Sequence, residues 1–186
     1  MNKLLVLIYP TFSEFEVAVA TTILGRKYEI LSLGLDDAPV TGEGGFRCIP
    51  HVTVGNANPD EYAGLIIPGA PEFRPVIECP ALDDLVRSLY AAGKPLAAIC
   101  GGPMVLGKAG ILAERRYTTS LLQEHRAFLG IPEATFVDQD LVQDGHVLTA
   151  KGPAYVEFGL AAARLFGYFR DDEHFAEVAR WYRNTK

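Results

Sequence analysis

The stretch AAICGGPMVLGKAG, residues 97–110, decides how this chain is read. Small apolar residues run into Cys100. Gly101, Gly102 and Pro103 follow, and then a helical spacing of small and apolar residues. That order predicts a buried strand that stops in a sharp turn, with a helix starting at once. A cysteine at such a turn has its sulfur lifted off the sheet, beside backbone N–H groups that lack helical partners. Helix N-termini lower a thiol's pKa, and the thiolate is the nucleophile. The pattern follows the logic of a nucleophile elbow, where small neighbours let the backbone fold tightly beneath the reactive side chain. A second reading stands beside it: free cysteine is among the most buried residue types, and Cys100 could be core filling. Gly-Gly-Pro is costly in an ordinary buried segment, which favours the elbow.

Outward from the elbow, apolar β-branched runs alternate with helical patterns. Strands are expected at 3–9, 27–34, 63–70 and 95–100, and helices at 14–25, 81–94, 121–130, 153–167 and 171–186. Ser13 is a candidate N-cap and Gly25 a candidate C-cap for the first helix. Residues 39–54, with Gly42, Gly44 and Gly45, look like a hairpin excursion, and 115–120 like a short strand. Residues 134–150 hold two strand patterns joined through Asp144-Gly145, a hairpin signal. Strand–helix alternation at this spacing calls for a mostly parallel sheet with helices on both faces, in one domain over 1–186. Ligands of such sheets bind beyond the C-terminal strand ends. The loops YPTFSEFE, PGAPEF and CGGP therefore converge there.

Composition narrows the function classes. The 186 residues are 49% hydrophobic and 22% charged, ordinary for a soluble globular protein, and the net charge is −6. With no basic cluster, nucleic acid and anionic membranes are poor partners. No apolar run approaches the roughly 20 residues needed to span a bilayer, and MNKLLVLIYPTF reads as a first strand rather than a signal peptide. Cys48, Cys79 and Cys100 form an odd set without paired spacing. That argues for a reducing cytoplasm and against a disulfide framework or a zinc knuckle. Cys48 and Cys79 read as structural or surface thiols. The acidic runs Asp36-Asp37 and Asp171-Asp172-Glu173 read as solvated, without metal-site spacing. The glycines 42, 44 and 45 lack the context of a phosphate loop.

Four segments together carry a family resemblance: Phe12-Ser13-Glu14-Phe15-Glu16, LIIPGA, AAICGGPMVL and LTAKGPAYVEFGLA. From about residue 3 to about residue 168 the chain resembles the ThiJ/PfpI superfamily, within the class I glutamine-amidotransferase-like fold. The resemblance implies a flavodoxin-like three-layer α/β/α sandwich, usually a homodimer. It also implies one of several activities without a cofactor or metal: peptidase, glyoxalase or deglycase, isocyanide hydratase, chaperone or oxidative-stress sensor. Fold alone does not choose among them.

Carried over residue by residue, Cys100 matches the reactive cysteine and Glu16 the glutamate beside it. Glu16 can also be read as a solvated helix residue like Glu14. An ionised Glu16 would repel the thiolate; a protonated one would donate to it. The resemblance implies an oxyanion site from the N–H of Gly101 and an N–H of the Gly69-Ala70 turn, which can also be read as a plain strand-to-loop turn. The chain departs from the family twice. Peptidase-like members carry a histidine directly after the cysteine, where this chain has Gly101. Deglycase-like members carry one near the position of Ser120, which cannot act as a base near neutral pH. His125 is the nearby histidine and, with Ser120, a candidate second-layer residue. Two functions remain. One is an enzyme in which Cys100 attacks a small electrophilic carbonyl or amide-like group while Glu16 relays a proton. The other is a non-enzymatic redox sensor or protective protein in which the Cys100 thiol is oxidised to a sulfinate that Glu16 stabilises.

Overall fold

Alternate side chains of each central strand enter two separate cores, and that alternation builds three layers. The computed structural model describes residues 2–185. Among them lie nine strands: β1 (Asn2–Leu7), β2 (Tyr28–Gly34), β3 (Val40–Thr41), β4 (Arg47–Cys48), β5 (Val52–Thr53), β6 (Tyr62–Ile67), β7 (Leu96–Ile99), β8 (Leu141–Asp144) and β9 (Val147–Ala150). The helices are α1 (Glu14–Leu24), α2 (Arg74–Ile77), α3 (Pro80–Ala91), α4 (Pro103–Lys108), α5 (Gln123–Phe128), α6 (Tyr155–Leu165) and α7 (Asp172–Arg183). Leu5 and Leu7 of β1, Leu65 and Ile67 of β6, and Leu96 and Ala98 of β7 face one core. Leu4, Val6, Ile66, Ala97 and Ile99 face the other. The period-two register does this automatically, since successive strand residues point to opposite faces.

The main sheet runs β5-β2-β1-β6-β7-β9-β8, parallel except for the antiparallel β8–β9 pair. This is the expected flavodoxin-like α/β sandwich. On one face α3 presents Leu82, Leu85, Val86 and Leu89, an i, i+3, i+4, i+7 stripe, with Met104, Val105 and Leu106 of α4. Each fully buried Leu of this stripe contributes about 2 kcal/mol. On the other face Val17, Ala20, Ile23 and Leu24 of α1 meet Phe158, Leu160, Ala162 and Ala163 of α6.

Several sequence expectations change in detail. The Gly-rich hairpin exists as β3–β4, a separate two-stranded sheet, and the next residues join the main sheet as β5. Residues 115–120 form no strand beyond one bridge, Tyr117 to Phe136, because their side chains and N–H groups are engaged elsewhere. The Asp144-Gly145 hairpin is present, with Gly145 at φ +61°, while 134–140 carries no strand. Ser13 occupies the N-cap position of α1 but makes no cap bond; its hydroxyl goes to Glu43. The last helix ends at Arg183, and Lys186 lies outside the described residues. No helix among the described residues is long and apolar enough to cross a membrane. The loops after β1, β6 and β7 meet at the C-terminal edge of the sheet.

Candidate functional site

β7 ends at Ile99, and Cys100 turns the chain with φ +61°, a left-handed conformation that costs a non-glycine residue about 1–3 kcal/mol. The turn is pinned on every side. Cys100 N–H donates to Ala150 O at 2.9 Å and Gly102 N–H to Ile99 O at 2.8 Å. The Cys100 carbonyl accepts from Thr119 Oγ1 at 2.5 Å and from Ser120 N–H at 2.9 Å. A Cβ at Gly102 would lie 2.5 Å from Ile67 O, so only glycine lets the elbow sit on the end of β6. Pro103 then opens α4 at a position where a missing N–H costs nothing.

The thiol meets a buried carboxyl. Glu16, on the first turn of α1, is 1% exposed, and its Oε2 accepts from Gly69 N–H at 2.7 Å. Its side chain lies beside the Cys100 thiol and acts on the thiol's ionisation. Gly152 sits against both: a Cβ there would lie 3.2 Å from Glu16 Oε1 and 3.3 Å from Cys100 Sγ. A Cβ at Gly69 would lie 2.8 Å from Cys100 Cβ and 3.0 Å from its sulfur. Ser120 Oγ accepts from Gly152 N–H at 2.9 Å, and Ser120 and Gly101 N–H both favour the ionised thiol. Tyr9, fully buried at the end of β1, anchors the opposite wall by donating to Pro68 O at 2.9 Å.

The electrostatics run against the sequence expectation of a lowered thiol pKa. Burial, and then the Glu16 carboxylate, push the Cys100 thiol up to about 12, against smaller help from Ser120 and Gly101. Burial likewise raises Glu16, opposed by its bonds from Gly69 and Cys100, with the Glu43 charge raising it further. Two acids that resist ionising side by side titrate as a pair: one charge is tolerated, a second only in strong alkali. The singly charged pair holds one proton between carboxyl and sulfur. The thiolate is available when that proton sits on Glu16.

Cys100, Glu16, Gly69, Gly101 and Ser120 are thus brought together. Gly69 does not supply an oxyanion N–H, because that group is committed to Glu16; Ala70 N–H has no acceptor among the described residues. His125 is exposed on α5 and bonds to none of these groups. His51 bonds Ser32, His146 packs on Tyr90, and His174 sits by Tyr168 and Phe169. All three cysteines are free. No group of three or more His, Cys, Asp or Glu among the described residues is placed to hold a metal. Reading the sequence did not single out Tyr9, Thr119, Gly152 or Glu43 for the site. Gly152 lay within the Lys-Gly-Pro segment already noted, the one signal that could have found it.

Known proteins share this fold. The DJ-1/PfpI family matches residues 2–165. The chain is 32% identical over 149 residues to a glutathione-independent glyoxalase of Caenorhabditis elegans, covering 79% of this chain and 78% of that protein. It is 29% identical over 129 residues to a deglycase of Pyrococcus furiosus, covering 68% and 75%. The crystal structure of a DJ-1 superfamily protein from Agrobacterium tumefaciens superposes with a TM-score of 0.86 at 28% identity, covering 99% of both chains.

Proposed function

We propose that this chain, which belongs to the DJ-1/PfpI family, converts a small electrophilic carbonyl by covalent chemistry at Cys100, as a glyoxalase or deglycase does. The observation that carries the reading is a buried carboxyl, Glu16, packed against the same small gap at Gly152 as the elbow thiol of Cys100. The names of the similar glyoxalase and deglycase support it.

With methylglyoxal, Cys100 Sγ adds to the aldehyde carbon. The S–C bond forms and the carbonyl oxygen becomes a hydroxyl as it takes a proton. The N–H groups of Gly101 and Ala70 stabilise the charge that develops on that oxygen. Glu16, as carboxylate, takes the proton from the former aldehyde carbon and returns it to the neighbouring carbon, while the hydroxyl gives up its proton and the former ketone oxygen gains one. The aldehyde carbon is oxidised and the ketone carbon reduced, leaving a thioester on Cys100. Water hydrolyses the thioester to lactate and frees the thiol. Methylglyoxal and water make lactate, with no external oxidant or reductant. The family habit also supports a homodimer, checked by light scattering of the purified chain, and the three unpaired cysteines support a reducing cytoplasm.

One observation favours the second reading, a redox sensor. No histidine among the described residues hydrogen-bonds Cys100, Glu16 or Ser120 to serve as a second base. A turnover panel of methylglyoxal, small amides and isocyanides, run on wild type and Cys100→Ala, separates the two. Steady turnover lost in the variant selects the enzyme. No turnover, with peroxide oxidising Cys100 ahead of Cys48 and Cys79, selects the sensor.

A further inference from the structure

The β3–β4 turn leans on the start of α1 through two carboxylates that do different work. Glu14 accepts from Gly44 N–H at 2.8 Å and Phe46 N–H at 3.3 Å, so it fastens the turn. Glu43 reaches inward: its N–H donates to Phe12 O at 2.9 Å, and its Oε2 accepts from Ser13 Oγ at 2.5 Å. Ser13 is buried and joined to the site from both ends of its backbone. Its N–H donates to Gly69 O at 2.9 Å, and its carbonyl accepts from Glu16 N–H at 3.2 Å. Gly69 N–H in turn donates to Glu16 Oε2. A closed circuit therefore runs from Glu43 through Ser13 to Gly69 and Glu16.

We propose that Glu43 is a positioning residue for the Glu16–Cys100 pair: held on Ser13, its charge biases the proton shared by the pair toward Glu16 and so enlarges the thiolate share. The proposal rests on the reading of that pair as the reacting centre. The titratable groups facing Glu16 are Cys100 from the elbow, Tyr9 from the end of β1 and Glu43 from the β3–β4 turn, with Glu14 on its own helix. All are acids, and no Lys, Arg or His among the described residues bonds to any of them. No cation offsets the charge on the pair, so a further negative charge joined through Ser13 to the backbone of Glu16 favours the protonated carboxyl. Consistent with that placement, Glu43 contributes to the upward push on Glu16, after burial, and is not among the groups acting on Cys100.

The test is the rate of Cys100 alkylation by iodoacetamide against pH, read by peptide mass spectrometry that resolves it from Cys48 and Cys79. Glu43→Gln keeps an acceptor for Ser13 and removes the charge. It lowers the Cys100 rate near neutral pH at least about threefold, the factor for one unit charge several Å away even at the dielectric constant of water. Ser13→Ala lowers the rate in the same direction, and the double variant falls no further than the lower single one, since both act through one link. Glu14→Gln, which removes a neighbouring charge outside the circuit, leaves the profile in place. A Glu43→Gln profile equal to wild type overturns the proposal, and so does an equal fall in Glu14→Gln. If Glu43→Gln also lowers the melting temperature, Ser13→Ala carries the test. Methylglyoxal turnover is scored separately: its absence with the alkylation pattern intact removes the functional reading and leaves Glu43 its role.

Discussion

Gly152→Ala probes the gap between carboxyl and sulfur with a single methyl group. Its Cβ would stand 3.2 Å from Glu16 Oε1, 3.3 Å from Cys100 Sγ and 3.4 Å from Cys100 Cβ. Comfortable separations are about 3.5–4.0 Å, so the two reacting groups must each yield by roughly 0.3–0.5 Å. A misplacement of about 1 Å in a reacting constellation costs about 100-fold, so this smaller displacement costs about 4- to 10-fold in kcat/KM. Stability should barely change. Gly152 is not among the glycines with positive φ, so alanine fits the backbone, and the unfolded chain's lost freedom returns about 0.4–1 kcal/mol against the crowding. The melting temperature should stay within about 4 °C, the response of a chain this size to about 1 kcal/mol. The assay pairs methylglyoxal kinetics with a thermal melt. Unchanged kcat/KM would refute the packing of Gly152 against the pair. A loss of activity that merely tracks a large fall in melting temperature would show unfolding rather than displacement.

Glu16→Gln removes the carboxylate that opposes the second ionisation. The high thiolate step near 12 should give way to one step at lower pH, followed by thiolate absorbance, and a retained step near 12 would clear Glu16 of the effect. Cys100, Tyr9 and Tyr117 all have pKa values raised in the fold, first by burial, with Tyr117 near 12. Groups raised by folding stabilise fully below their unfolded values and lose that contribution as pH climbs to the folded ones. The melting temperature should therefore fall between about pH 9 and 12, less steeply in Tyr9→Phe; a flat profile over that range would contradict it. Arg126 is 6% exposed, forks onto Glu133 at 2.8 and 2.9 Å, donates to Leu121 O at 2.6 Å and stacks 3.8 Å over Phe136. Arg126→Ala should cost about 2–3 kcal/mol in denaturant unfolding, and a cost below about 0.5 would mean the fork carries no net stability.

The sheet was legible because its signals are local. Short unbroken apolar runs marked β1, β6 and β7, and Cys-Gly-Gly-Pro marked the elbow, since few other arrangements tolerate that tetrapeptide after a buried strand. What escaped the sequence is long-range. Nothing local in Glu43 says that it meets Ser13, 30 residues away, and nothing in Gly69 says that a carboxyl 53 residues earlier takes its N–H. Residues 115–120 have strand composition, yet Thr118 and Thr119 spend their hydroxyls on Gln139 O and Cys100 O instead of extending a ladder. Arg126 looks like a solvated helix residue until Glu133 and Phe136 close over it. The thiol's ionisation went the other way for the same reason. The helix N-terminus is visible in sequence, but the burial that outweighs it depends on how α1, the Gly69 turn and Gly152 close around the sulfur.

The central claim is that Cys100 and Glu16 act together on a small carbonyl compound. The most direct measurement follows methylglyoxal and lactate by NMR with purified wild type, Cys100→Ser and Glu16→Gln side by side. The account predicts lactate in one-to-one yield from methylglyoxal in wild type, none above background with Cys100→Ser, and at least about a 100-fold loss with Glu16→Gln, the low end of what a positioned acid–base group supplies. Lactate at the wild-type rate from Cys100→Ser would contradict it.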